Sequence, residues 1–304
     1  MDCDDRPPTP VRFSAGTAAP RTALPGGACD GHVHLYDGRF PADRAARLRP
    51  PDAGVDDLRA LQQRIGTSRV VLVTPSTYGT DNRCLLEGLA ALGVEARGVA
   101  VIGGHESDAE LLRLHEAGVR GVRLNLSLGV AGSVDSILPL TQRIAPLGWH
   151  LQLLMAPDLL WEQAEVLSQL PVPLVFDHFG RIPPALAGRH PAHALLLELL
   201  QDRRAWIKLS GGYIVSERHA VDDPALDVLA AGYLRAAPDR VLWGSDWPHA
   251  TATAGLQPLP DDALQVDRLA DWVRQTGDAA ATLQRVLVDN PAALYGFAPV
   301  PGTS

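Results

Sequence analysis

Two histidines separated by one residue stand near the start of the chain, in the stretch ACDGHVHLYDG, residues 28–38. Side chains two residues apart on a β-strand point to the same side, so His32 and His34 can face one site together while Val33 faces away. Imidazoles can polarise a carbonyl oxygen, move a proton or bind a metal ion. Such a pair is more often structural than functional when it stands alone, so other residues must decide.

Two further polar residues end apolar runs elsewhere in the chain. His178 follows PLVFD and Asp246 follows RVLWGS. If these runs are parallel strands, all four residues meet where the strands end. A carboxylate beside imidazoles can act as a general base toward water while the imidazoles polarise a carbonyl group, which predicts hydrolytic chemistry. The same four residues could instead hold a divalent metal such as Zn²⁺, and their spacing does not choose between the two.

Eight short apolar runs rich in Val, Ile and Leu must position these residues. They read CDGHVHLYD, SRVVLVTP, ARGVAVIGG, GVRGVRLNL, HLQLLMAP, PLVFDHFG, AWIKLSGG and RVLWGSDWP. Stretches with helical periodicity separate them, and this alternation predicts a parallel sheet. Eight such units in this length predict an α/β fold, a single (β/α)8 TIM barrel. A doubly wound open sheet is the alternative, but its Gly-rich dinucleotide turn is missing after the first run.

The domain organisation is predicted from composition along the chain. Residues 1–28 are rich in Pro, Ala, Gly and Thr and contain no continuous apolar segment, so we expect a flexible N-terminal arm. No low-complexity linker interrupts residues 29–298, which predicts one barrel hydrolase domain followed by a tail at 299–304. The three cysteines, Cys3, Cys29 and Cys84, lack metal-finger spacing and are expected to be reduced thiols of a cytoplasmic protein.

The charge and hydropathy of the chain exclude several kinds of partner. The formal net charge is -8 and no run of Lys or Arg could follow a phosphate backbone, so nucleic acid is not expected. No stretch is long and apolar enough to predict a membrane-spanning helix. The expected partner is a small molecule, and a homo-oligomer is left open.

Polar residues beside the same strand ends are candidates for substrate binding. Arg123 interrupts an apolar strand and Arg181 follows His178, and each could form a structural salt bridge or clamp a carboxylate. Ser76 and Tyr78 follow the second strand and could donate hydrogen bonds to a ligand. His249 follows Asp246 closely after the eighth strand and is included in the same set.

A resemblance covers the whole of this region. The motifs DGHVH, TPSTYGTDNR, GVRLNL, FDHFGR, IKLSGGY, WGSDWPH and DNPAALYGF, in order from Cys29 to Phe297, together resemble the amidohydrolase superfamily. They are similar to the branch that contains 2-pyrone-4,6-dicarboxylate lactonase, 4-sulfomuconolactone hydrolase and D-galactarolactone isomerase. The resemblance implies a distorted barrel in which His32, His34 and His178 face a lactone carbonyl. It also implies that Asp246 activates water and that no metal cofactor is needed.

The resemblance further implies an anionic substrate. Arginines and hydroxyls hold the substrate carboxylates in the pyrone lactonases, and the matching residues here are Ser76, Tyr78, Arg123 and Arg181. Two departures count against the pyrone dicarboxylate itself. SLGVAG stands where a further basic residue is expected, and Tyr213 or Ile214 stands where an arginine is expected, with Arg218 as a nearby substitute. The hydroxyl of Tyr213 would suit a sugar-acid lactone.

Four functions remain open from the sequence. The first is a lactone hydrolase acting on a carboxylic ester bond, and the second is a lactone isomerase that uses the same residues. A metal-dependent decarboxylase, which would need bound Zn²⁺, is the third. A barrel that binds a small acid without turning it over comes last, because Asp246 and all three histidines are present.

Overall fold

Eight parallel strands form one sheet in which each strand pairs with the next along the chain. The structure is a computed structural model that describes residues 10–127 and 132–299. The strands are β1 (Cys29–Val33), β2 (Arg69–Val73), β3 (Ala96–Ala100), β4 (Val119–Asn125), β5 (His150–Leu154), β6 (Leu174–Phe176), β7 (Ala205–Leu209) and β8 (Val241–Trp243). Each lies within one of the eight runs predicted from the sequence, and the predicted (β/α)8 barrel is confirmed.

The barrel is nearly closed where β8 meets β1. A parallel bridge joins Val33 to Trp247, and the Asp246 amide donates to the His32 carbonyl over 2.9 Å. Gly31 permits this close approach, because a Cβ atom there would lie 2.6 Å from the Trp243 carbonyl oxygen. The seam therefore fixes the first histidine of the pair against the segment that carries Asp246.

Thirteen α-helices in the described residues follow or cover the strands. They are α1 (Val55–Ile65), α2 (Arg83–Leu92), α3 (Asp108–Glu116), α4 (Ile137–Ile144), α5 (Pro157–Glu162), α6 (Ala164–Gln169), α7 (Pro191–Gln201), α8 (Gly212–Val215), α9 (Asp227–Ala236), α10 (Ala250–Thr253), α11 (Asp262–Val273), α12 (Ala279–Gln284) and α13 (Asn290–Tyr295). Local sequence sets several ends: Ser107 and Glu110 form a capping box at α3, and Gly66 ends α1 at φ 85°. No helix of these residues has the length and apolar character needed to cross a membrane.

The amino-terminal end of the barrel is filled by apolar side chains. A separate cluster lies inside the barrel and consists of Cys29, Val71, Val73, Val99, Val175, Trp206 and Leu242. Tyr295 and Phe297, which follow from α13, pack against this cluster and close the end where the strands begin. An opening for a substrate is therefore left at the other end, where the strands finish.

The N-terminal segment contacts the barrel along its described part. Val11 is buried, the Trp247 indole donates to the Arg12 carbonyl over 3.0 Å, and Arg21 pairs with Asp267. The described part of this segment, residues 10–28, therefore lies against the barrel, where polar and aromatic partners contact it. Residues 1–9 and 300–304 lie outside the described residues, and the proposed domain division stays a prediction.

Candidate active site

A cavity of about 450 Å³ opens at the carboxyl ends of the strands. Six of the residues predicted from the sequence line it: His34, Ser76, Arg123, His178, Arg181 and Asp246. His32 lies directly against three of them and is fully buried. Residues far apart in the chain meet here because the eight strands are parallel and their carboxyl ends share one rim.

Three imidazoles surround one carboxylate oxygen in this cavity. The Oδ1 atom of Asp246 lies 3.5 Å from His32 Nε2, 3.7 Å from His34 Nε2 and 3.8 Å from His178 Nε2. The other oxygen, Oδ2, accepts a hydrogen bond of 2.6 Å from the Tyr213 hydroxyl. One oxygen of Asp246 is thus anchored while the other faces the histidines.

Unusual backbone conformations aim two of these side chains. His178 and Asp246 have φ values of 49° and 68°, in the left-handed region that residues with a side chain rarely adopt. Each such residue costs of order 1 kcal/mol or more, and such conformations concentrate at functional sites. Here the turns follow directly after β6 and β8 and direct both side chains toward the cavity.

Burial keeps the histidines neutral and their neighbours keep the carboxylate ionised. Burial lowers the pKa of His34 to about 4 and lowers the pKa values of His32 and His178 as well. Burial alone would raise the pKa of Asp246, but the three histidines, His178 foremost, and the Tyr213 hydroxyl lower it overall. Near neutral pH the site therefore presents one anionic proton acceptor among neutral imidazoles.

A polar layer lies below the cavity, inside the barrel. The Arg123 Nε and Gln152 Nε2 atoms both donate to Asp177 Oδ2, over 3.0 and 3.1 Å. Lys208 Nζ lies 2.7 Å from Gln152 Oε1 and 3.2 Å from His32 Nδ1. Barrel interiors are usually filled by branched apolar side chains. In this layer, polar side chains that contact the site take the place of that apolar packing.

The model of one protein family matches residues 29–297, and its description is amidohydrolase. The chain belongs to the amidohydrolase family. A 2-pyrone-4,6-dicarboxylate hydrolase of Comamonas testosteroni is 34% identical over 96% of this chain and 97% of its own. A D-galactarolactone isomerase of Agrobacterium fabrum is 31% identical over 96% and 99%. The apo crystal structure of an Agrobacterium tumefaciens protein superposes with a TM-score of 0.82 at 29% identity, covering 93% and 100% of the chains. The resemblance noted in the sequence is confirmed.

Two predicted ligand-binding residues of this amidohydrolase keep groups directed at the cavity. Arg123 donates its Nε to Asp177, and its position in the cavity lining leaves the end of the guanidinium for a ligand. Arg181 lines the cavity without a hydrogen-bond partner among residues 10–127 and 132–299. The structure thus shows the salt bridge of Arg123, and its role as a clamp for a substrate carboxylate stays a prediction.

Two predicted binding residues are used elsewhere. The Tyr78 hydroxyl donates to the Asp37 carbonyl over 3.1 Å and accepts from the Asp37 amide, so it holds a loop and does not line the cavity. His249 is fully buried, with Nε2 3.2 Å from an Asp262 oxygen, and also lies outside the lining. The sequence showed only that both follow strand ends, and the direction of each side chain depends on its loop.

Tyr213 is also placed differently from its prediction as a substrate ligand. Its hydroxyl is bonded to Asp246, so it positions the carboxylate and does not line the cavity. Its neighbour Ile214 lines the cavity. Arg218 lies near Asp223 and lines a different cavity, so it does not substitute. The other departure, SLGVAG, falls largely on residues 128–131, outside the described residues.

Several lining residues were missing from the predicted set. They include Tyr36, Arg47, Ser127, His219 and Gln257. Arg47 comes from the long loop between β1 and α1, which carries no motif that could have revealed it. Lys208 was missed although a signal was present in the composition, because it is the only lysine of the chain.

The donor atoms of the site could hold a metal ion. His32 Nε2, His34 Nε2 and Asp246 Oδ1 lie 3.3–3.7 Å apart, close to the roughly 3.4 Å that separates ligands around a tetrahedral Zn²⁺. A second group of His32, Asp177 and His178 is also close enough. The residues present therefore fit a divalent cation, as the sequence left open.

Proposed function

We propose that this amidohydrolase hydrolyses the ester bond of a small anionic lactone and so opens its ring. The observation that carries the proposal is the Asp246 Oδ1 atom, which lies 3.5–3.8 Å from the Nε2 atoms of three buried histidines in a cavity that also contains arginines. The names of the relatives support this class, since one is a hydrolase of a pyrone dicarboxylate and another acts on a sugar-acid lactone. This deepens the family assignment to a carboxylic ester hydrolase.

In the proposed reaction, Asp246 removes a proton from water and the water oxygen attacks the lactone carbonyl carbon. The charge that develops on the carbonyl oxygen is stabilised by N–H groups of the surrounding imidazoles. The ring C–O bond then breaks, and protonated Asp246 returns its proton to the leaving oxygen. The product carries a new carboxyl group and a free hydroxyl, so atoms and charges balance.

The histidines have different parts in this scheme. His34 Nδ1 lies 2.7 Å from the Val73 carbonyl, which only accepts hydrogen bonds, so the proton of neutral His34 is on Nδ1. His34 therefore presents a lone pair from Nε2 toward Asp246 and the cavity. Polarisation of the carbonyl falls to His32 and His178, in place of all three histidines expected from the resemblance.

The arginines set the charge of the substrate. Arg47, Arg123 and Arg181 line the cavity, whereas Asp246 is the acidic residue of its described lining. This balance favours an anionic ligand, and a carboxylate can be bound bidentately by a guanidinium. If a metal binds, His32, His34 and Asp246 would hold it, and it would supply Lewis acidity toward the carbonyl or the attacking water.

A lactone isomerase is the second candidate, favoured by the relative of that name at 31% identity. Hydroxyl and amide groups of Ser76, Ser127, Thr251 and Gln257 also line the cavity and would suit a polyhydroxylated substrate. Both activities begin from the same bound lactone. They are separated by the product, which is a ring-opened acid in one case and a rearranged lactone in the other.

The test is proton NMR of the purified protein with 2-pyrone-4,6-dicarboxylate, muconolactones and aldarolactones. We expect the wild type to convert the lactones of one of these three classes to a ring-opened acid. Asp246→Asn should lower kcat by about two to four orders of magnitude, since general base catalysis is worth that much. Asp56→Asn, on the exposed start of α1, is the matched control and should retain activity. A rearranged lactone would move the assignment to an isomerase, and full activity of Asp246→Asn would refute the mechanism.

A cytoplasmic location is also proposed. Cys29 and Cys84 are free and buried in the structure, which suits a reducing compartment. Assembly into a homo-oligomer stays a prediction.

A further inference from the structure

The only lysine of the chain is buried inside the barrel, beneath the candidate active site. The protein has 27 lysine and arginine residues, and Lys208 on β7 is the single lysine among them. It is fully buried, and it faces the polar layer. A lysine kept at one position, where every other cationic side chain is arginine, points to a requirement for a compact ammonium group.

The surroundings of Lys208 explain that requirement. Its Nζ atom lies 2.7 Å from Gln152 Oε1, 3.2 Å from His32 Nδ1 and 3.6 Å from an Asp177 oxygen. Three acceptors in different directions suit the three N–H bonds of an ammonium group and not a planar guanidinium. Burial lowers the pKa of Lys208 to about 8, with Asp177 opposing the shift. The amine has an N–H to donate in either protonation state.

The hydrogen-bond partners of His34 and His32 determine which nitrogen of each ring carries the proton. Neutral His34 carries its proton on Nδ1, because that atom faces the Val73 carbonyl. Its Nε2 is then an acceptor, and it lies 3.3 Å from His32 Nε2. This contact is a hydrogen bond only if His32 carries its own proton on Nε2. The His32 Nδ1 atom must then accept a hydrogen bond, and Lys208 is the donor beside it.

We propose that Lys208 is a positioning residue that holds His32 in the tautomer with its proton on Nε2. Asp177 competes for the same atom, since one of its oxygens lies 3.2 Å from His32 Nδ1 and would favour the opposite tautomer. The lysine decides the competition by donating to Nδ1 and by pairing with Asp177. His32 consequently has an N–H on Nε2 that donates to His34 Nε2 and lies 3.5 Å from Asp246 Oδ1, and a bound carbonyl oxygen would replace His34 as its acceptor.

The opposite tautomer would change the chemistry of the site. With the proton of His32 on Nδ1, lone pairs of His32, His34 and Asp246 would point at one another across 3.3–3.7 Å. That arrangement favours a bound cation, and metal-bound histidines usually donate their other N–H to a carboxylate as Asp177 would accept here. Lys208 therefore favours a hydrogen-bond donor over a metal ligand at His32.

The direct test reads the tautomer without substrate. Protein labelled with ¹⁵N-histidine is examined by long-range proton–nitrogen NMR in the wild type and in Lys208→Met, with His32 assigned from the spectrum of His32→Gln. We expect the His32 proton on Nε2 in the wild type and on Nδ1 in Lys208→Met, while His34 stays protonated on Nδ1 in both. Arg69→Met is the matched control, because this buried cation starts β2 at the opposite end of the barrel.

Zinc titration by calorimetry gives a second readout that a misfolded variant would not produce. Lys208→Met should bind Zn²⁺ about 10- to 100-fold more tightly than the wild type and Arg69→Met, the range typical of groups that orient a metal ligand. A His32 proton on Nδ1 in the wild type, or an unchanged tautomer and zinc affinity in Lys208→Met, would overturn the proposal.

The kinetic consequence rests on the proposed function and is tested separately. With the lactone substrate, Lys208→Met should lower kcat about ten-fold or more with little change in KM, because only the charge developing in the transition state loses a donor. If no lactone reacts with the wild type, the proposed function fails while the tautomer and zinc measurements still decide the role of Lys208.

Discussion

At the scale of single residues, the hydrogen bond from Tyr213 to Asp246 connects structure to pH dependence. It occupies one carboxylate oxygen and leaves the other for water. The bond also helps to lower the pKa of Asp246 against the effect of burial. The hydroxyl group thus keeps the base ionised and correctly oriented, although it does not touch the cavity.

Replacing Tyr213 by Phe should therefore raise the pKa of Asp246. Because water activation needs the carboxylate, the acid limb of the kcat/KM profile should move to higher pH, with lower activity below neutral pH. The profile of Tyr78→Phe is the control, since that hydroxyl bonds to Asp37 instead. An acid limb at the wild-type position in Tyr213→Phe would show that another group governs it.

A second prediction at this scale concerns Arg181. It lines the cavity and has no hydrogen-bond partner among the described residues, so removing it leaves no buried acceptor unpaired. Arg181→Met should raise KM for an anionic lactone about 10- to 100-fold, the equivalent of one charge-assisted hydrogen bond, with a smaller effect on kcat. Steady-state kinetics against Arg218→Met, which lies at another cavity, measures this, and an unchanged KM would remove Arg181 from the binding site.

At the scale of elements, the seam between β8 and β1 positions His32 and Asp246, two residues of the proposed catalytic set. Gly31 in β1 faces the Trp243 carbonyl oxygen of β8. Gly244, just after β8, faces β1, and a Cβ atom there would lie 2.7 Å from the His32 backbone nitrogen. The absence of side chains lets the two segments approach. Their separation therefore sets the distance between His32 and Asp246.

Gly31→Ala should push β1 away from β8, because the new Cβ would meet the backbone of Trp243 at 2.6 Å. Overpacking of this kind typically costs about 1–3 kcal/mol, and the shift should also lower kcat by displacing His32. Gly232→Ala in α9 has open space and should be neutral or up to about 1 kcal/mol more stable. Urea unfolding compares the three proteins, and equal stability of Gly31→Ala and wild type would contradict this account of the seam.

At the scale of the whole molecule, buried neutral histidines link stability to pH. His32, His34 and His178 lie at the site, and His150 lies at the start of β5 against Tyr295. Burial lowers the pKa of His34 to about 4 and that of His150 to about 3. Unfolded histidines bind a proton near pH 6.5, so the unfolded state takes up more protons between these values.

The free energy of unfolding should therefore fall as the pH is lowered from about 6.5 toward 4, by about 1.4 kcal/mol per pH unit for each histidine that titrates only when unfolded. His150→Leu tests this away from the cavity. It should reduce the slope of stability against pH by one histidine's share while activity is retained. Urea unfolding at several pH values gives the slope, and parallel curves for wild type and His150→Leu would contradict the prediction.

The sequence alone determined the barrel and predicted which residues meet at one end of it. Strand periodicity places His32 and His34 on one side, and the carboxyl ends of parallel strands must share one rim, so the convergence with His178 and Asp246 follows from topology. Arg123 and Arg181 were found for the same reason, since they stand directly at strand ends.

Only the tertiary structure decided what individual side chains contact. The hydroxyls of Tyr78 and Tyr213 both stand near strand ends in the sequence, yet one holds a loop and the other holds Asp246. Arg47 reaches the cavity from a loop without a motif, and Lys208 reaches His32 across the barrel from a strand 176 residues away. Local patterns give the face on which a side chain lies. The partners within hydrogen-bond distance depend on how distant strands and loops pack, and those partners decide which atom of a histidine carries its proton.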